Sequence, residues 1–131
     1  MQISNNLIHG NLSYILNGIF FKVQNELGRF STERQYADAV EELLKETDIL
    51  YEREKEIPIK FGEKELKGNR VDFWIASKLL VDAKAKKYIT REDYLQMRRY
   101  LKAVNFKLGL IVNFRGKSVM IKRVINPSAK E

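Results

Sequence analysis

Two short apolar segments, residues 71–75 and 79–84, each carry an aspartate where a buried strand normally has an apolar residue. The first reads Val-Asp-Phe-Trp-Ile and the second Leu-Leu-Val-Asp-Ala-Lys, so apolar side chains fall on both faces of each predicted strand. Strands with two apolar faces are usually central in a sheet that helices cover. A carboxylate there costs free energy unless it is paired or binds a metal ion. The two segments therefore predict a sheet that helices cover, with carboxylates inside it that are paired or bind a metal ion.

Helical patterns precede and follow these strands. Apolar residues recur at three- and four-residue spacing over 12–27, and Thr32 with Gln35 forms a capping box that starts a second helix ending near residue 47. The remaining pattern predicts, in order, an extended segment at 49–61, a charged turn at 62–68, the two acidic strands, a basic amphipathic helix at 90–104 opened by Thr90, and strands at 108–114 and 119–124. This order predicts an α/β fold with a mixed central β-sheet flanked by helices.

A chain of 131 residues suits one domain of ordinary size. We expect a single domain over residues 1–131, with its core at 12–125 and a short flexible tail at 126–131. The sequence shows neither a secretory signal pattern nor an apolar stretch near the ~20 residues that a membrane span needs. We therefore expect a cytoplasmic protein without a membrane partner.

The composition narrows the chemistry that such a domain can carry. The chain has no cysteine and a single histidine, His9, so thiolate zinc sites, cysteine nucleophiles and Ser/His/Asp triads are not expected. A metal ion would have to be held by oxygen ligands, and such ligands suit Mg²⁺ or Mn²⁺.

The second acidic strand also carries a lysine two residues after its aspartate. Asp82 and Lys84 should point to the same face, roughly 6.5–7 Å apart along the strand. If the two strands pair, Asp72 joins them, and the two carboxylates with the Ala83 carbonyl form an oxygen site for a divalent metal. The metal would polarise a phosphate and acidify a water, and Lys84 would orient that water and stabilise the developing charge. The alternative is a buried Asp–Lys ion pair without chemistry.

The formal charge of +7 and the pI near 9.6 favour a polyanionic partner, although charge alone does not separate nucleic acid from a membrane or an acidic protein. Basic residues mixed with tyrosines follow the second acidic strand and suit a nucleic-acid backbone with splayed bases. The predicted nucleic-acid-binding residues are Lys86, Lys87, Arg91, Arg98, Arg99, Tyr100 and Lys102. We expect that Arg98, Arg99 and Lys102 cannot all face one direction, so that some of these residues are plain solvated surface.

At this point the residues resemble a known family. Asp72 followed ten residues later by Asp82-Ala83-Lys84 resembles the PD-(D/E)XK nuclease signature, and the order of elements is similar to that superfamily's core. Further segments, in the same order along the chain, resemble the GxxExxY proteins: Glu26-Leu27-Gly28, Glu33-x-x-Tyr36, Gln96-x-x-x-Tyr100-Leu101-Lys102-Ala103 and Gly109 to Phe114. The chain departs from the family patterns at Phe30, where glycine is expected, at Val71, where proline is usual, and at Asp82, where glutamate is more usual.

The resemblance implies a Mg²⁺- or Mn²⁺-dependent nuclease that hydrolyses phosphodiester bonds in nucleic acid, with DNA as the expected substrate. It implies a further metal-linked helical carboxylate at Glu33, which can equally be a favourable first-turn acid; Glu26 is the other candidate. It implies that Gln96 and Tyr100 help to hold metal water and phosphate, the alternative being a packed tyrosine with a glutamine at the rim. A second copy of the chain is an expected partner for clasping a duplex. The competing interpretations are a catalytically inactive nucleic-acid-binding module and a partner-binding protein with the same fold.

Overall fold

The computed structural model of the protein describes residues 8–130, so the two ends of the predicted domain, 1–7 and 131, lie outside the described residues. Its helices and strands follow one another in an α/β order. They are α1 (Gly10–Leu27), α2 (Glu33–Leu44), β1 (Tyr51–Glu56), β2 (Ile59–Phe61), β3 (Lys64–Leu66), β4 (Arg70–Ile75), β5 (Leu79–Lys84), α3 (Arg91–Val104), β6 (Leu108–Asn113) and β7 (Met120–Ile125).

The main sheet has five strands in the order β1-β4-β5-β6-β7. The β5–β6 pair is parallel and the other three pairs are antiparallel, so the sheet is mixed, and the predicted fold class is confirmed. β4 and β5 are internal strands, as their two apolar faces predicted. The helix between β5 and β6 supplies the crossover that a parallel pair requires.

The region between α2 and β4 differs from the prediction. The single extended segment expected at 49–61 is two strands in different sheets, because Ile57 turns into the core between β1 and β2 and is followed by Pro58. The expected charged turn at 62–68 contains β3, which pairs with β2 around Gly62, whose φ is +63°. Every side chain of β3 is exposed, so its sequence has no alternation of buried and exposed positions to reveal a strand.

The two faces of the sheet build separate apolar cores. α1 and α2 cover one face, with Leu16, Phe20, Val81 and Val112 in the shared cluster. α3 covers the other face with a cluster formed largely by Ile57, Val71, Leu80, Met97, Tyr100, Leu101, Ile111 and Val124. Within residues 8–130, no helix has the length and apolar character needed to cross a membrane.

The segment after β7 packs against the domain, although the sequence predicted a flexible tail. Asn126 and Ala129 are buried, and the Lys107 ammonium donates to the Pro127 and Ala129 carbonyls at 3.3 and 3.0 Å. The Asn126 amide donates to the Lys107 carbonyl at 2.9 Å, which continues the pairing beyond β7. These contacts come from a lysine that precedes β6, so the local sequence of the tail does not predict them.

Tyr36 ties the α1–α2 connection to the sheet. Its ring stacks on Phe114 with centroids 4.4 Å apart and planes 8° apart. Its hydroxyl donates to the Gly28 carbonyl at 2.5 Å and accepts from the Ser31 amide at 3.2 Å. One buried side chain therefore sets both ends of the short connection that leads into α2.

Replacing Tyr36 with phenylalanine should keep the stacking on Phe114 and leave the Gly28 carbonyl and the Ser31 amide without the hydroxyl. We expect the free energy of unfolding to fall by about 1–2 kcal/mol, the usual cost of unmade hydrogen bonds at a partly buried site. Urea denaturation followed by circular dichroism measures the change. Tyr14→Phe is the control, since Tyr14 is exposed; equal stability of the two variants would contradict the anchoring role.

Candidate active site

Asp72 and Asp82 lie where β4 and β5 stop pairing through their main chains. The last paired residues are Phe73 and Val81. Beyond them, the Asp82 carboxylate accepts from the Asp72 amide at 3.3 Å, and the Asp72 carboxylate accepts from the Ala83 amide at 2.6 Å. The two side chains thus take over hydrogen bonds that a regular ladder would make, and the two carboxylates are held next to each other.

The strand on the other side of Asp72 is irregular too. β1 pairs Arg53 with Phe73 and Lys55 with Val71, and Glu54 between them has a φ of +52°. A non-glycine residue in this conformation costs of order 1–3 kcal/mol, so it persists only where the surrounding structure holds it. Asp72 therefore sits between two local departures from regular strand pairing.

The electrostatics of the pair follow from burial and from like charge. Burial and the neighbouring Asp82 carboxylate raise the pKa of Asp72 to about 7. A cation placed between two such carboxylates would relieve both penalties, and hard divalent cations prefer oxygen donors. The donor set therefore fits Mg²⁺ or Mn²⁺, with water and main-chain oxygens completing the coordination that two side chains cannot fill.

Lys84 lies on the same face as Asp82, as the strand period predicted. Its ammonium is 3.2 Å from the Asp82 carboxylate and 3.9 Å from that of Asp93. Burial lowers the pKa of Lys84, but the charges of Asp82, Asp93 and Glu33 more than offset this and hold it above its usual value. The side chain is therefore a fixed cation beside the acidic pair.

Asp93 is a member of this cluster that the sequence analysis missed. It is the third residue of α3 and forms a capping box with Thr90, and its carboxylate also lies 2.7 Å from the Lys86 ammonium. Burial raises the pKa of Asp93, but bonds from Lys86 and Thr90 outweigh this and lower it. The Thr90-x-x-Asp93 spacing was visible in the sequence, and it predicts a helix start, but nothing local indicates the contact with Lys84.

Asn113 fixes the segment that follows β5. Its buried side-chain amide donates to the Lys86 carbonyl at 2.8 Å, and its oxygen accepts from the Lys86 amide at 3.2 Å. The same oxygen accepts from the Arg115 amide at 3.3 Å. The side chain thereby acts as a short extension of the β5–β6 ladder and orients the Lys86 main chain.

Glu33 reaches the end of β5 from the first turn of α2. Its carboxylate accepts from the Ala85 amide at 3.3 Å, and its charge contributes to the raised pKa of Lys84. In the part of the chain that the structure describes, no three Asp, Glu, His or Cys side chains form a group that could hold a metal. Glu33 is therefore near Lys84 but is not grouped with Asp72 and Asp82. Glu26 is exposed on the last turn of α1.

Tyr100 lies in the core beneath the site. It is 3% exposed and belongs to the cluster between α3 and the sheet. Burial raises its pKa, and the charge of Asp82 adds to this effect, which places the phenol near the acidic pair. Gln96, one turn earlier on α3, is half-buried. Asp93, Gln96 and Tyr100 thus follow the i, i+3, i+7 spacing of one helix face.

Five of the seven predicted nucleic-acid-binding residues border two separate cavities. Arg98, Arg99 and Lys102 border one cavity of about 290 Å³, so the expectation that they could not face one direction is wrong. Their positions span an arc of only about 100° on a helix of 3.6 residues per turn. Long basic side chains can bend across an arc of that width and reach the same cavity. Lys87 and Arg91 border a different cavity, described below.

Phe30 forms an exposed basic and aromatic cluster that the sequence analysis did not assign. Its ring is 77% exposed, and the guanidinium carbons of Arg29 and Arg115 lie 5.2 and 5.8 Å from its centroid. The Arg29 side chain also donates to the Arg115 carbonyl at 2.9 Å. The cluster is on the connection that leads to Glu33, and Arg115 follows Asn113, the strand partner of Lys84. It therefore lies at the end of the sheet where Lys84 lies. Arg29 and Arg115 are 86 positions apart, which hides the cluster from any local pattern.

Asp72→Asn should stabilise the metal-free protein. Between pH 4 and 7 the folded wild type holds a proton on Asp72 that the unfolded chain has lost, so its stability falls as the pH rises. Asparagine does not titrate. We expect the free energy of unfolding of the variant to exceed that of the wild type by about 1–4 kcal/mol at pH 8 in chelator, and to differ little from it at pH 4. Urea denaturation at both pH values measures this, with exposed Asp48→Asn as control. No gain at pH 8 would contradict the cost of burying the Asp72 charge beside Asp82.

Comparison with known proteins agrees with this geometry. The family model described as the PD-(D/E)XK nuclease superfamily matches residues 10–124, from the first residue of α1 into β7. No curated protein matches the chain. No solved structure matches it either. The matched range contains α1 to β6 entirely, together with both acidic strands and Lys84. The chain belongs to the PD-(D/E)XK nuclease superfamily.

Proposed function

We propose that the protein is a divalent-metal-dependent nuclease that hydrolyses phosphodiester bonds in DNA. The observation that carries the proposal is the convergence of Asp72, Asp82 and Lys84 on one face, at the point where two internal strands part. A structural ion pair needs one acid for one lysine. Here a second buried acid, Asp72, repels the Asp82 carboxylate. A metal ion bound by both carboxylates would remove this repulsion, and its binding would be favoured by the same amount.

Asp72 and Asp82 would hold the Mg²⁺ or Mn²⁺ ion, together with the Ala83 carbonyl. The ion would supply polarisation of the phosphate and acidification of the attacking water. Glu33, whose carboxylate lies on the Ala85 amide, is the proposed further acid of the site, acting through water. Gln96 is proposed to hold water at the rim, over the buried Tyr100.

Lys84 would act as a hydrogen-bond donor and a fixed positive charge. Because its pKa is held above the usual value, it stays protonated at neutral pH and cannot serve as the general base. Its proposed role is to orient the attacking water and to stabilise the charge that grows on the phosphate oxygens. Asp93 would keep the ammonium in place.

We further propose that the chain is one of the GxxExxY proteins within the superfamily. Support comes from the arrangement of the residues that suggested the resemblance. Glu33 reaches β5, Tyr36 anchors the connection before it, and the segment from Gly109 to Phe114 forms the buried strand beside β5. Phe30, where that family has glycine, is exposed and requires no glycine conformation.

DNA is the proposed substrate because the domain carries clustered basic groups outside the acidic pair. Arg98, Arg99 and Lys102 border one cavity, and Arg29 and Arg115 flank Phe30. Such groups neutralise backbone phosphates, and exposed aromatic rings accept unstacked bases. A second copy of the chain is the proposed means of clasping a duplex.

A catalytically inactive nucleic-acid-binding module is the second candidate function. The observation that favours it is the position of Glu33, which leaves two rather than three side-chain carboxylates in the group. In that case the carboxylates of Asp72 and Asp82 would serve only to bridge β4 and β5.

Asp82→Ala should abolish metal-dependent cleavage without unfolding the protein. The variant removes one of the two proposed side-chain metal ligands. The measurement is incubation of purified protein with linear, circular and single-stranded DNA, with Mg²⁺, Mn²⁺ or chelator. Circular dichroism checks the fold.

Asp48→Ala is the matched control, since it removes an exposed aspartate outside the site and should cut like the wild type. Cleavage by Asp82→Ala at the wild-type rate would reject the assignment of the site. Salt-sensitive DNA binding without cleavage by any form would favour the inactive module.

Lys84→Met should lower the cleavage rate by at least ~10²-fold, the usual scale for losing one transition-state contact. Methionine keeps most of the aliphatic stem and removes the charge, so Mn²⁺ binding measured by calorimetry should persist. Lys78→Met, in the exposed turn between β4 and β5, is the control for the loss of one positive charge. An unchanged single-turnover rate would remove Lys84 from the mechanism.

A further inference from the structure

A second concave site lies beside the acidic cluster, between the start of α3 and the β6–β7 turn. It is a cavity of about 630 Å³, within the range of about 300–1,000 Å³ that is typical of small-ligand clefts. Asp72, Asp82 and Lys84 do not line it. It is joined to them through Thr90 and Asn113, which line the cavity. Thr90 binds Asp93, an ion-pair partner of Lys84, and Asn113 binds the main chain of Lys86, two residues after Lys84.

The lining combines flat apolar groups with cations. Tyr88, Tyr94 and Met120 supply apolar surface, and Tyr88 and Met120 are 68% and 62% exposed. The Lys87 and Lys122 ammonium groups lie 5.6 and 5.9 Å from the ring centroids of Tyr88 and Tyr94, so charge and aromatic surface are interleaved.

The charge of the cavity indicates an anionic ligand. Lys87, Arg91 and Lys122 border it, and no carboxylate among the described residues does. Ser118 and Gly116 add polar groups to the lining. Cations suit a phosphate, aromatic faces suit a flat ring, and scattered polar groups suit the edge of that ring. A nucleotide is the ligand that presents all three together.

We propose that this cavity, which we name the Tyr88–Met120 pocket, binds one unpaired nucleotide of the nucleic-acid strand whose neighbouring phosphate lies at Asp72 and Asp82. The inference rests on the proposed function, since it assigns the nucleotide to the strand that is cut. A base inside a duplex has both faces stacked, so only an unstacked base can lie against these tyrosines. The pocket therefore gives the nuclease a preference for DNA that carries unpaired nucleotides near the cleaved bond.

The test is binding of two labelled duplexes, one fully paired and one with a single unpaired nucleotide, measured by fluorescence anisotropy in chelator. Without metal nothing is cut, so the measurement is independent of catalysis. The wild type should bind the duplex with the unpaired nucleotide about tenfold more tightly, the scale of one base–aromatic contact. Tyr88→Ala and Met120→Asp should each bring the two affinities within about twofold.

Leu50→Asp is the matched control for Met120→Asp, since it changes an exposed apolar residue by the same charge beside β1, at the opposite edge of the sheet. It should keep the full preference. Equal affinity of the wild type for the two duplexes, or a preference that survives both pocket variants, would overturn the proposal. A third outcome would also overturn the proposal: the wild type shows no preference between the duplexes, yet a free deoxynucleoside monophosphate binds the pocket without displacing the paired duplex. The pocket would then be a mononucleotide site.

Failure of the proposed function gives a different result. A wild type that prefers the unpaired nucleotide but never cuts DNA with Mg²⁺ or Mn²⁺ would support the pocket and reject the nuclease. A wild type that cuts DNA but shows no preference would reject the pocket alone.

Discussion

The exchange of main-chain for side-chain hydrogen bonds between β4 and β5 is the feature on which the site depends. Where regular pairing ends after Phe73 and Val81, the carboxylates of Asp72 and Asp82 accept from the amides of Ala83 and Asp72. Two acids are thereby fixed beside each other in the middle of a covered sheet. Lys84, 3.2 Å away, compensates the charge of Asp82, whereas burial and that neighbouring carboxylate raise the pKa of Asp72.

The surroundings of Lys84 explain how three layers of the fold meet at this point. Asp82 comes from the sheet, Asp93 from the first turn of α3 and Glu33 from the first turn of α2, and all three raise the pKa of the lysine. Helix starts are favourable places for carboxylates, so Asp93 and Glu33 stabilise their own helices as well. The two acids, which lie at the starts of helices on opposite faces of the sheet, therefore both favour the charged form of Lys84 at the end of β5.

The two cavities and the Phe30 cluster lie outside this centre. The larger cavity contains Asn113, the strand partner of Lys84, whereas the cavity of Arg98, Arg99 and Lys102 lies at the other end of the sheet, where Asn126 pairs with Lys107. Each combines groups that are distant in sequence: Arg29 with Arg115, Arg98 with Ser128, and Tyr94 with Lys122. A basic surface was expected from the charge of +7, but its division into separate concave sites was not. The error over Arg98, Arg99 and Lys102 arose from treating side chains as fixed directions, although long basic chains reach across a helix arc of that width.

The sequence by itself determined the order of elements, the two internal acidic strands and the shared face of Asp82 and Lys84. These follow from side-chain period, capping residues and the free-energy cost of burying carboxylates, which are local properties of the chain. The β3 strand was not predicted, because no face of it is buried and its sequence therefore shows no alternation. Only the tertiary structure decided the contact of Asp93 with Lys84, the placing of Glu33 on the Ala85 amide, and the packing of residues 126–130. These contacts join positions 9 to 52 residues apart, and their free energy depends on which segments the sheet brings together rather than on any neighbouring residue.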